Sequence, residues 1–214
     1  MTLLEDISSA VQRGKKKEVK PLVQQAIDEG MDPQVILNEG LVPAMSIIGD
    51  KFSAGEVFVP EMLVAARAMS AGTELLRPLL AEEGAEPLGK AVIGTVQGDM
   101  QDIGKNLVRM MMESKGLNVI DLGNSVPPAK YIEAAAKHNA DIIACSALLT
   151  TTMVHIKDVV KGVAESPLAG KVKIMIGGAP VNDAFRESIG ADYYTPDASS
   201  AAEKALEICA AARA

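Results

Sequence analysis

The first part of the chain, to about residue 83, carries apolar residues at the three- and four-residue spacing of amphipathic helices. Glycines separate four such stretches, and Asp32-Pro33 has the form of a helix N-cap followed by proline in the first turn. The stretches begin with Leu3, Val19, Val35 and a longer one near Pro60. Four helices with short connections predict an antiparallel bundle, and we place this helical cap domain at residues 1–84.

After the glycine- and proline-containing segment 84–89, short apolar runs alternate with amphipathic stretches. The candidate strands are Ala91–Thr95, Asn118–Asp121, Ile142–Ser146, Val172–Ile176 and Tyr193–Tyr194. The helical stretches cover 104–115, 128–138, 152–164, 182–189 and 198–212. Strands that are apolar throughout are typical of a parallel sheet covered on both faces. Residues 89–214 are therefore predicted to form a five-stranded, doubly wound α/β domain of Rossmann or flavodoxin type.

Ligands of doubly wound sheets bind beyond the carboxyl ends of the strands, which selects four loops for inspection. These loops are 96–104, 122–128, 146–152 and 177–181. The first has glycines and carboxylates, but its spacing fits neither a Walker loop nor GxGxxG, and Asp102 could simply cap the next helix. Hydroxyls in the third loop could also be helix caps, and the glycine pair in the fourth could be an ordinary turn. Each loop alone therefore leaves a structural role open.

Composition narrows the range of partners. A net charge of −7 and the lack of a basic patch beyond Lys15-Lys16-Lys17 argue against a nucleic-acid partner. No apolar run reaches the ~18 residues of a membrane-spanning helix, and the N-terminus is acidic where a targeting segment would be basic. We therefore expect a cytoplasmic protein with no membrane partner. Cys145 and Cys209 are expected to be buried thiols, because their spacing suits neither a disulfide framework nor a zinc site.

Considered together, three of the loops carry a specific pattern. Asp99-x-Gln101-x-x-Gly104, Ser146-x-Leu148 and Gly177-Gly178 each follow a predicted strand. In order and separation they resemble the cobalamin-binding signature Asp-x-His-x-x-Gly, Ser-x-Leu, Gly-Gly. The helical half is similar to the cap of methionine synthase and of corrinoid methyltransferase proteins, through the segments Gly40–Met45, Gly49–Phe52 and Phe58–Glu61.

The resemblance implies that the chain binds cobalamin with the dimethylbenzimidazole tail off the cobalt and inserted into the sheet domain. On this basis the tail slot would be lined by Ser146, Leu148 and Thr150 and bordered by Gly177, Gly178 and Ala179. The corrin ring would lie over Gly98, Asp99, Met100, Gln101, Asp102, Ile103 and Gly104. The upper face of the ring would be covered by Phe58, Val59 and Met62 of the cap, for which a place in the helical core is the alternative.

One residue departs from the family pattern. Gln101 occupies the position of the histidine that coordinates cobalt from below, whereas Asp99 and Thr152 occupy the positions that hold this histidine through a proton relay. An amide oxygen is a poorer ligand than imidazole for a soft, electron-rich metal. We therefore expect cobalt with no strong protein ligand below it, with Gln101 in weak or water-mediated contact at most. The two histidines, His138 and His155, are expected on helix surfaces.

The resemblance implies a non-catalytic methyl carrier within a corrinoid methyltransferase system. Its partners would be a substrate-specific methyltransferase and an acceptor methyltransferase that uses tetrahydrofolate or a thiol, with a reductive activase as a further partner. Two alternatives stay open. One is a cobalamin-dependent sensor, and the other is a flavodoxin-like domain that has lost corrinoid binding, with Gln101 as the mark of that loss.

Overall fold

Two compact units, Met1–Glu86 and Pro87–Ala214, make up the chain. The computed structural model describes residues 2–82 and 87–212. The segment 84–89, at which we placed the boundary between the domains, lies partly outside the described residues. The limits 1–84 and 89–214 therefore stay a prediction.

The first unit consists of helices, as predicted. They are α1 (Leu3–Gln12), α2 (Lys16–Asp28), α3 (Pro33–Val35), a π-helical segment (Ile36–Leu41), α4 (Val42–Ser53) and α5 (Val59–Glu82). The segments from α3 to α4 follow one another without a break and form the third predicted helix. Asp32 caps it, because its side chain accepts a hydrogen bond from Gln34 N at 2.7 Å. The buried side chains of this unit include Ile7, Val23, Leu41, Met45, Met62 and Met69.

The π-helical segment is a feature that the hydrophobic pattern did not predict. Within it Val42 N bonds to Leu37 O, which is a wider turn than that of an α-helix. Pro43 follows directly and has no backbone N–H, so one α-type hydrogen bond is missing at this point in any case. The four-residue spacing of an ordinary helix is nevertheless present, because Ile36 and Gly40 are both buried, together with Leu41.

The second unit is an α/β domain built on five parallel strands. Its elements are β1 (Lys90–Thr95), α6 (Ile103–Ser114), β2 (Asn118–Asp121), α7 (Pro128–His138), β3 (Ile142–Ser146), α8 (Val154–Ala164), β4 (Lys173–Gly177), α9 (Asp183–Ile189), β5 (Tyr193–Tyr194) and α10 (Ala198–Ala211). The fourth strand lies one residue later than predicted. Helix α8 begins at Val154 rather than at residue 152, because Thr152 lies in a turn closed by its N–H to Leu149 O.

The strand order β2-β1-β3-β4-β5 is that of a doubly wound sheet of flavodoxin type. The order of winding reverses between β1 and β3, so the loops that follow these two strands meet at the carboxyl edge of the sheet. This point is where doubly wound sheets bind their ligands. The register places Thr95, Ser146 and Gly177 side by side at the ends of β1, β3 and β4.

The two faces of the sheet are covered by different helices. One face packs on α7 and α8 through a core cluster that includes Ile143, Cys145, Tyr131 and Val159. Since side chains alternate along a strand, Ser146 lies on the opposite face from Cys145. Cys145 and Cys209 are both buried, as predicted, and burial raises the pKa of the Cys145 thiol. Across the described residues, no helix has both the length and the apolar character needed to cross a membrane.

Candidate functional site

The site begins where β1 leaves the sheet and the chain turns into α6. Gly98 has a positive φ of +81°, and Asp99 N bonds back to Val96 O at 3.0 Å. Asp102 precedes α6, but its side chain makes no capping hydrogen bond. The alternative in which Asp102 serves as a side-chain cap is therefore wrong, and this carboxylate is left on the loop.

Asp99 is fully buried and ties the loop after β1 to the loop after β3. Its Oδ2 atom accepts hydrogen bonds from Leu148 N at 2.7 Å, Leu149 N at 3.2 Å and Thr152 Oγ1 at 2.8 Å. Its Oδ1 atom accepts one from the backbone N–H of Gln101 at 3.1 Å. The predicted pairing of Asp99 with Thr152 is therefore present. Helix α8 begins after Met153 and has no side-chain cap, so the alternative in which a hydroxyl of this loop caps α8 is wrong.

These hydrogen bonds decide the charge of Asp99. Burial by itself raises the pKa of this carboxyl, but the bonds from Leu148 N, Gln101 N and Thr152 outweigh burial and hold the pKa below the ordinary value of 3.8. Asp99 is therefore a carboxylate at neutral pH. It acts as a fixed acceptor for the backbone of two loops.

Acid is expected to destabilise the α/β domain through this group. A lowered pKa means that Asp99 contributes stability fully above its unfolded-state pKa, and that this stability is lost as the pH falls below 3.8 toward the lower folded-state pKa. Unfolding by urea, measured from pH 6 to about pH 2.5, should give a steeper loss of stability for the natural chain than for Asp99→Asn, which cannot titrate. Equal slopes for the two proteins would contradict this role of Asp99.

A second network, of ion pairs, joins α6 to the end of β2 and includes a buried cation, Lys105. Lys105 on α6 is 1% exposed, and its Nζ atom lies 2.6 Å from Asp121 Oδ1 and 2.8 Å from Asn106 Oδ1. Arg109 Nη1 reaches Asp121 Oδ2 at 2.9 Å. Burial raises the pKa of Asp121, but the hydrogen bond from Lys105, the backbone N–H of Gly123 and the two cations lower it overall. This ion-pair network fixes α6 to the end of β2.

The loop after β2 is hydrogen-bonded to the end of β1 and to the loop that follows it. Thr95 N donates to Gly123 O at 3.0 Å, and Val126 N donates to Thr95 O at 2.9 Å, so this loop is held against the end of β1. Ser125, between them, bonds to the loop after β1 through its backbone and its side chain. The sequence selected this loop for inspection, and the family resemblance extends to Asp121-Leu122-Gly123 at its start, but no role was predicted for Ser125.

The glycine pair at the end of β4 contacts the loop after β3 through backbone atoms. Ala147 N donates to Gly177 O at 3.1 Å. Gly178 has a φ of +126°, and a Cβ atom at this residue would lie 1.9 Å from Ala147 O. Only glycine fits such a position without moving one of the two loops. Gly178 is therefore required by the close approach of two loops, which an ordinary turn would not demand, whereas a Cβ at Gly177 would lie at an ordinary 3.6 Å from Thr195 O.

The edge of the sheet above these loops is apolar and open. Met100 is 65% exposed and Ile103 is 77% exposed, although both are large hydrophobic residues. Leu148, Leu149 and Val154 add three further exposed apolar side chains from the loop after β3 and the start of α8. Five of the ten exposed large hydrophobic side chains among the described residues therefore belong to this one edge, which we call the apolar rim. Such a concentration indicates a surface that a ligand or partner covers.

The structure brings most of the predicted residues of the α/β domain to the same edge. Hydrogen bonds join Asp99 to Leu148 and Thr152, register places Ser146 beside Gly177, and backbone contact joins Gly178 to its neighbouring loop. Gln101 is exposed, and among the described residues its side chain has no hydrogen-bond partner. Thr150 and Ala179 are also exposed.

The predicted cap residues differ in their surroundings. Phe58 is 66% exposed and Val59 is 36% exposed, whereas Met62 is fully buried. The role of these three residues above a corrin ring stays a prediction. The histidines lie on helices, as expected: His138 ends α7, and His155, on α8, contacts Asp158 at 3.2 Å through Nδ1. No cluster of three or more His, Cys, Asp or Glu side chains suited to a metal ion occurs in the described parts of the chain.

These features fit a corrinoid. An apolar rim suits the face of a large flat macrocycle, and the polar groups that surround it suit the amide groups at the edge of such a ring. Backbone packed as closely as at Gly178 can fix the wall of a narrow slot without side chains. Since a corrinoid supplies the equatorial ligands of its own metal, the protein need not provide a cluster of metal-binding side chains.

Comparisons with known proteins agree with this fit. A protein-family model described as a B12 binding domain matches residues 89–206, and a second model with the same description matches residues 3–77. The chain is 43% identical over 209 residues to dimethylamine corrinoid protein 1 of Methanosarcina acetivorans, covering 97% of this chain and 98% of that protein. It is 37% identical to a corrinoid protein of Desulfitobacterium hafniense, with 97% and 98% covered. Its structure matches the methanol:cobalamin methyltransferase complex MtaBC from Methanosarcina barkeri with a TM-score of 0.85 and 30% identity, covering 97% of this chain and 80% of that one.

Proposed function

Since this chain belongs to the B12-binding family of corrinoid proteins, we propose that it is a methyl carrier that holds its corrinoid without an imidazole below the cobalt. When bound, the corrinoid supplies a cobalt centre that can accept a methyl group and give it up again. The protein holds this cofactor, excludes competing ligands and presents it to partner enzymes. It contributes no catalytic residue of its own.

The single observation that carries the proposal is the closed hydrogen bonding of Asp99. Both of its oxygens are used by Leu148, Leu149, Thr152 and the backbone of Gln101, and none is used by the side chain of Gln101. Asp99 therefore holds the loops in place whether or not a ligand to cobalt is present at position 101. The site is built to keep its shape with glutamine at this position.

The chemistry of Gln101 then sets the environment of the metal. Its amide oxygen binds cobalt weakly compared with an imidazole nitrogen, so contact occurs at most weakly or through water. A cobalt with no strong lower ligand is easier to reduce, which helps a carrier to recover from accidental oxidation. Without an imidazole, the reduction also loses the proton uptake that a histidine would couple to it.

The comparisons also narrow the partners that we propose. A relative is called a dimethylamine corrinoid protein, and a related structure is a methanol:cobalamin methyltransferase complex. We therefore propose a methyltransferase for a methylamine or a similar small methyl donor as the first partner, and a methyltransferase for tetrahydrofolate or a thiol as the second. A reductive activase and a cytoplasmic location complete the proposal.

Methyl transfer tests the carrier role. The full-length protein is loaded with hydroxocobalamin, reduced with titanium(III) citrate and mixed with a purified methyltransferase and its methyl donor. We expect a methylated corrinoid, detected by absorbance, only when the methyltransferase and its methyl donor are both present. When an acceptor methyltransferase is added, we expect the methyl group to be transferred to the acceptor. If dimethylamine, monomethylamine and methanol, each with its own methyltransferase, all fail, these three donors are excluded. If methylation proceeds equally well without any methyltransferase, the carrier role is contradicted.

Gln101→His is expected to add a nitrogen ligand below the cobalt. An imidazole at this position would lie beside Asp99 and Thr152, the groups that hold such a ring in related proteins, and should coordinate the cobalt. The midpoint potential for reduction of cobalt(II) should fall and should become dependent on pH, as measured by spectroelectrochemistry of the loaded protein. Gln101→Leu serves as the matched control, because it removes the amide without adding a ligand. An unchanged potential in Gln101→His would contradict the prediction.

A further inference from the structure

Ser125 has a backbone conformation that side chains rarely adopt. Its φ is +48°, in the left-handed region where a Cβ atom meets steric resistance that glycine avoids. The other non-glycine residue with positive φ among the described residues is Asn139, which caps the C-terminus of α7. Asparagine is ordinary at the end of a helix, whereas Ser125 ends no helix. Backbone strain of this kind is kept where the surroundings enforce it, and functional sites are the usual places.

The hydrogen bonds of Ser125 all point to the loop that carries Gln101. The backbone N–H of Ser125 donates to Asp99 O at 2.9 Å, and its Oγ atom accepts from Gly98 N at 3.0 Å. The two bonds form a reciprocal pair with consecutive residues of that loop. Gln101 follows Asp99 by two residues, so the pair fixes the segment from which its side chain extends.

The loop that carries Ser125 is itself hydrogen-bonded to the end of β1 and, through Asp121, to α6. Thr95 N bonds to Gly123 O, and Val126 N bonds to Thr95 O, on either side of Ser125. Gly123 N in turn donates to Asp121 Oδ1 at 2.9 Å, and Asp121 is held by the buried Lys105. The left-handed turn at Ser125 is therefore enforced from both sides.

We infer that Ser125 is a positioning residue for the corrinoid, and that the strain at this residue is retained because its reciprocal bonds fix the Gly98–Gln101 segment below the ring. The inference deepens the proposed function and uses only its cofactor-binding part. Gly98 is exposed, so water can replace the bond from its N–H in the ligand-free protein. The bond to the Ser125 hydroxyl therefore contributes little to folding and much to the shape of the corrinoid site.

Because the Ser125 hydroxyl is expected to affect binding more than folding, affinity and stability serve as two independent readouts. Ser125→Gly removes the hydroxyl and relieves the strain, and Ser125→Ala removes the hydroxyl but keeps the strain. Asn139→Gly is the matched control, because it relieves the same kind of strain away from the site. For each full-length protein the unfolding midpoint in urea is measured without cofactor, and the Kd for hydroxocobalamin is measured by absorbance titration.

We expect Ser125→Gly to unfold at the same urea concentration as the natural chain or at a higher one, while its Kd rises about tenfold. We expect Ser125→Ala, which keeps the strain, to unfold near the urea concentration of the natural chain while its affinity falls, and Asn139→Gly to bind as tightly as the natural chain. An unchanged Kd in Ser125→Gly overturns the inference. A parallel fall of stability and affinity in that variant also overturns it, because Ser125 would then be structural only. Neither readout involves methyl transfer, so a failure of the carrier role would leave this test intact.

Discussion

Replacing Gly178 with alanine is expected to weaken corrinoid binding by on the order of 100-fold, equivalent to about 2.8 kcal/mol. The new Cβ atom would lie 1.9 Å from Ala147 O and 2.8 Å from Ala147 C, and these backbone atoms cannot move unless the two loops separate. The φ of +126° at this residue adds strain of its own for any side chain. We therefore expect the slot between the loops to lose its shape.

A matched control separates the effect of backbone strain from that of the steric clash with Ala147. Gly190 also has a positive φ, at +74°, but a Cβ atom there meets nothing within 4 Å. Gly190→Ala should therefore strain the backbone without altering the site, and its affinity for hydroxocobalamin should equal that of the natural chain. Absorbance titration of the two variants measures the difference. An affinity for Gly178→Ala within about threefold of the natural chain (under about 0.7 kcal/mol) would show that this close approach does not shape the site.

Replacing Asp121 with alanine is expected to lower the free energy of unfolding of the α/β domain by about 3–5 kcal/mol. The reason is that Lys105, which is 1% exposed, would be left as a buried cation with no carboxylate partner. Arg109 is partly exposed and can be hydrated, so it adds less to the loss. Urea unfolding followed by far-ultraviolet circular dichroism gives the change.

Two further variants identify the cause of that loss. The double variant Lys105→Met with Asp121→Ala removes the charge together with its partner and should recover most of the lost stability. Asp158→Ala breaks an exposed pair with His155 and should change stability by less than about 1 kcal/mol. If the double variant is no more stable than Asp121→Ala alone, the buried cation is not the source of the effect.

The sequence predicted the strands because their apolar residues are continuous and their ends are marked by polar or glycine residues. For β2, β3 and β5 the predicted and observed limits are the same. The π-helical segment 36–41 could not be predicted in this way, because its buried residues keep the spacing of an ordinary helix. Its one local signal is Pro43, which also fits the first turn of a new helix.

The site was predicted in part. The motif residues Asp99 and Thr152 could be paired because their positions match a known pattern. The roles of Leu149 and Ser125 could not be predicted, because one acts through its backbone N–H and the other in a conformation unusual for serine. Lys105 has the sequence signature of an exposed residue near the start of a helix, and its burial depends on Asp121, sixteen residues later. Both residues lie in segments, Lys105-Asn106 and Asp121-Leu122-Gly123, to which the family resemblance extends, but the resemblance did not indicate that they form a pair.

The proposed environment of the cobalt depends on Gln101, whose side chain forms no hydrogen bond with the residues that the structure describes. Gln101 is exposed at the apolar rim, and Asp99 accepts hydrogen bonds from Leu148 N and Leu149 N, so the loop keeps its shape without an imidazole at position 101. Its neighbours Met100 and Ile103 are also exposed, which suits contact with a ring rather than with solvent.

Electron paramagnetic resonance of the cobalt(II) form tests most directly whether an imidazole lies below the metal. The full-length protein is loaded with cobalamin and reduced by one electron, and Gln101→His, treated in the same way, shows what a nitrogen ligand looks like. We expect no nitrogen superhyperfine splitting in the natural chain and a clear splitting in Gln101→His. Splitting in the natural chain would contradict the proposal, and labelling the protein with nitrogen-15 would then tell whether the nitrogen comes from the protein or from the cofactor tail.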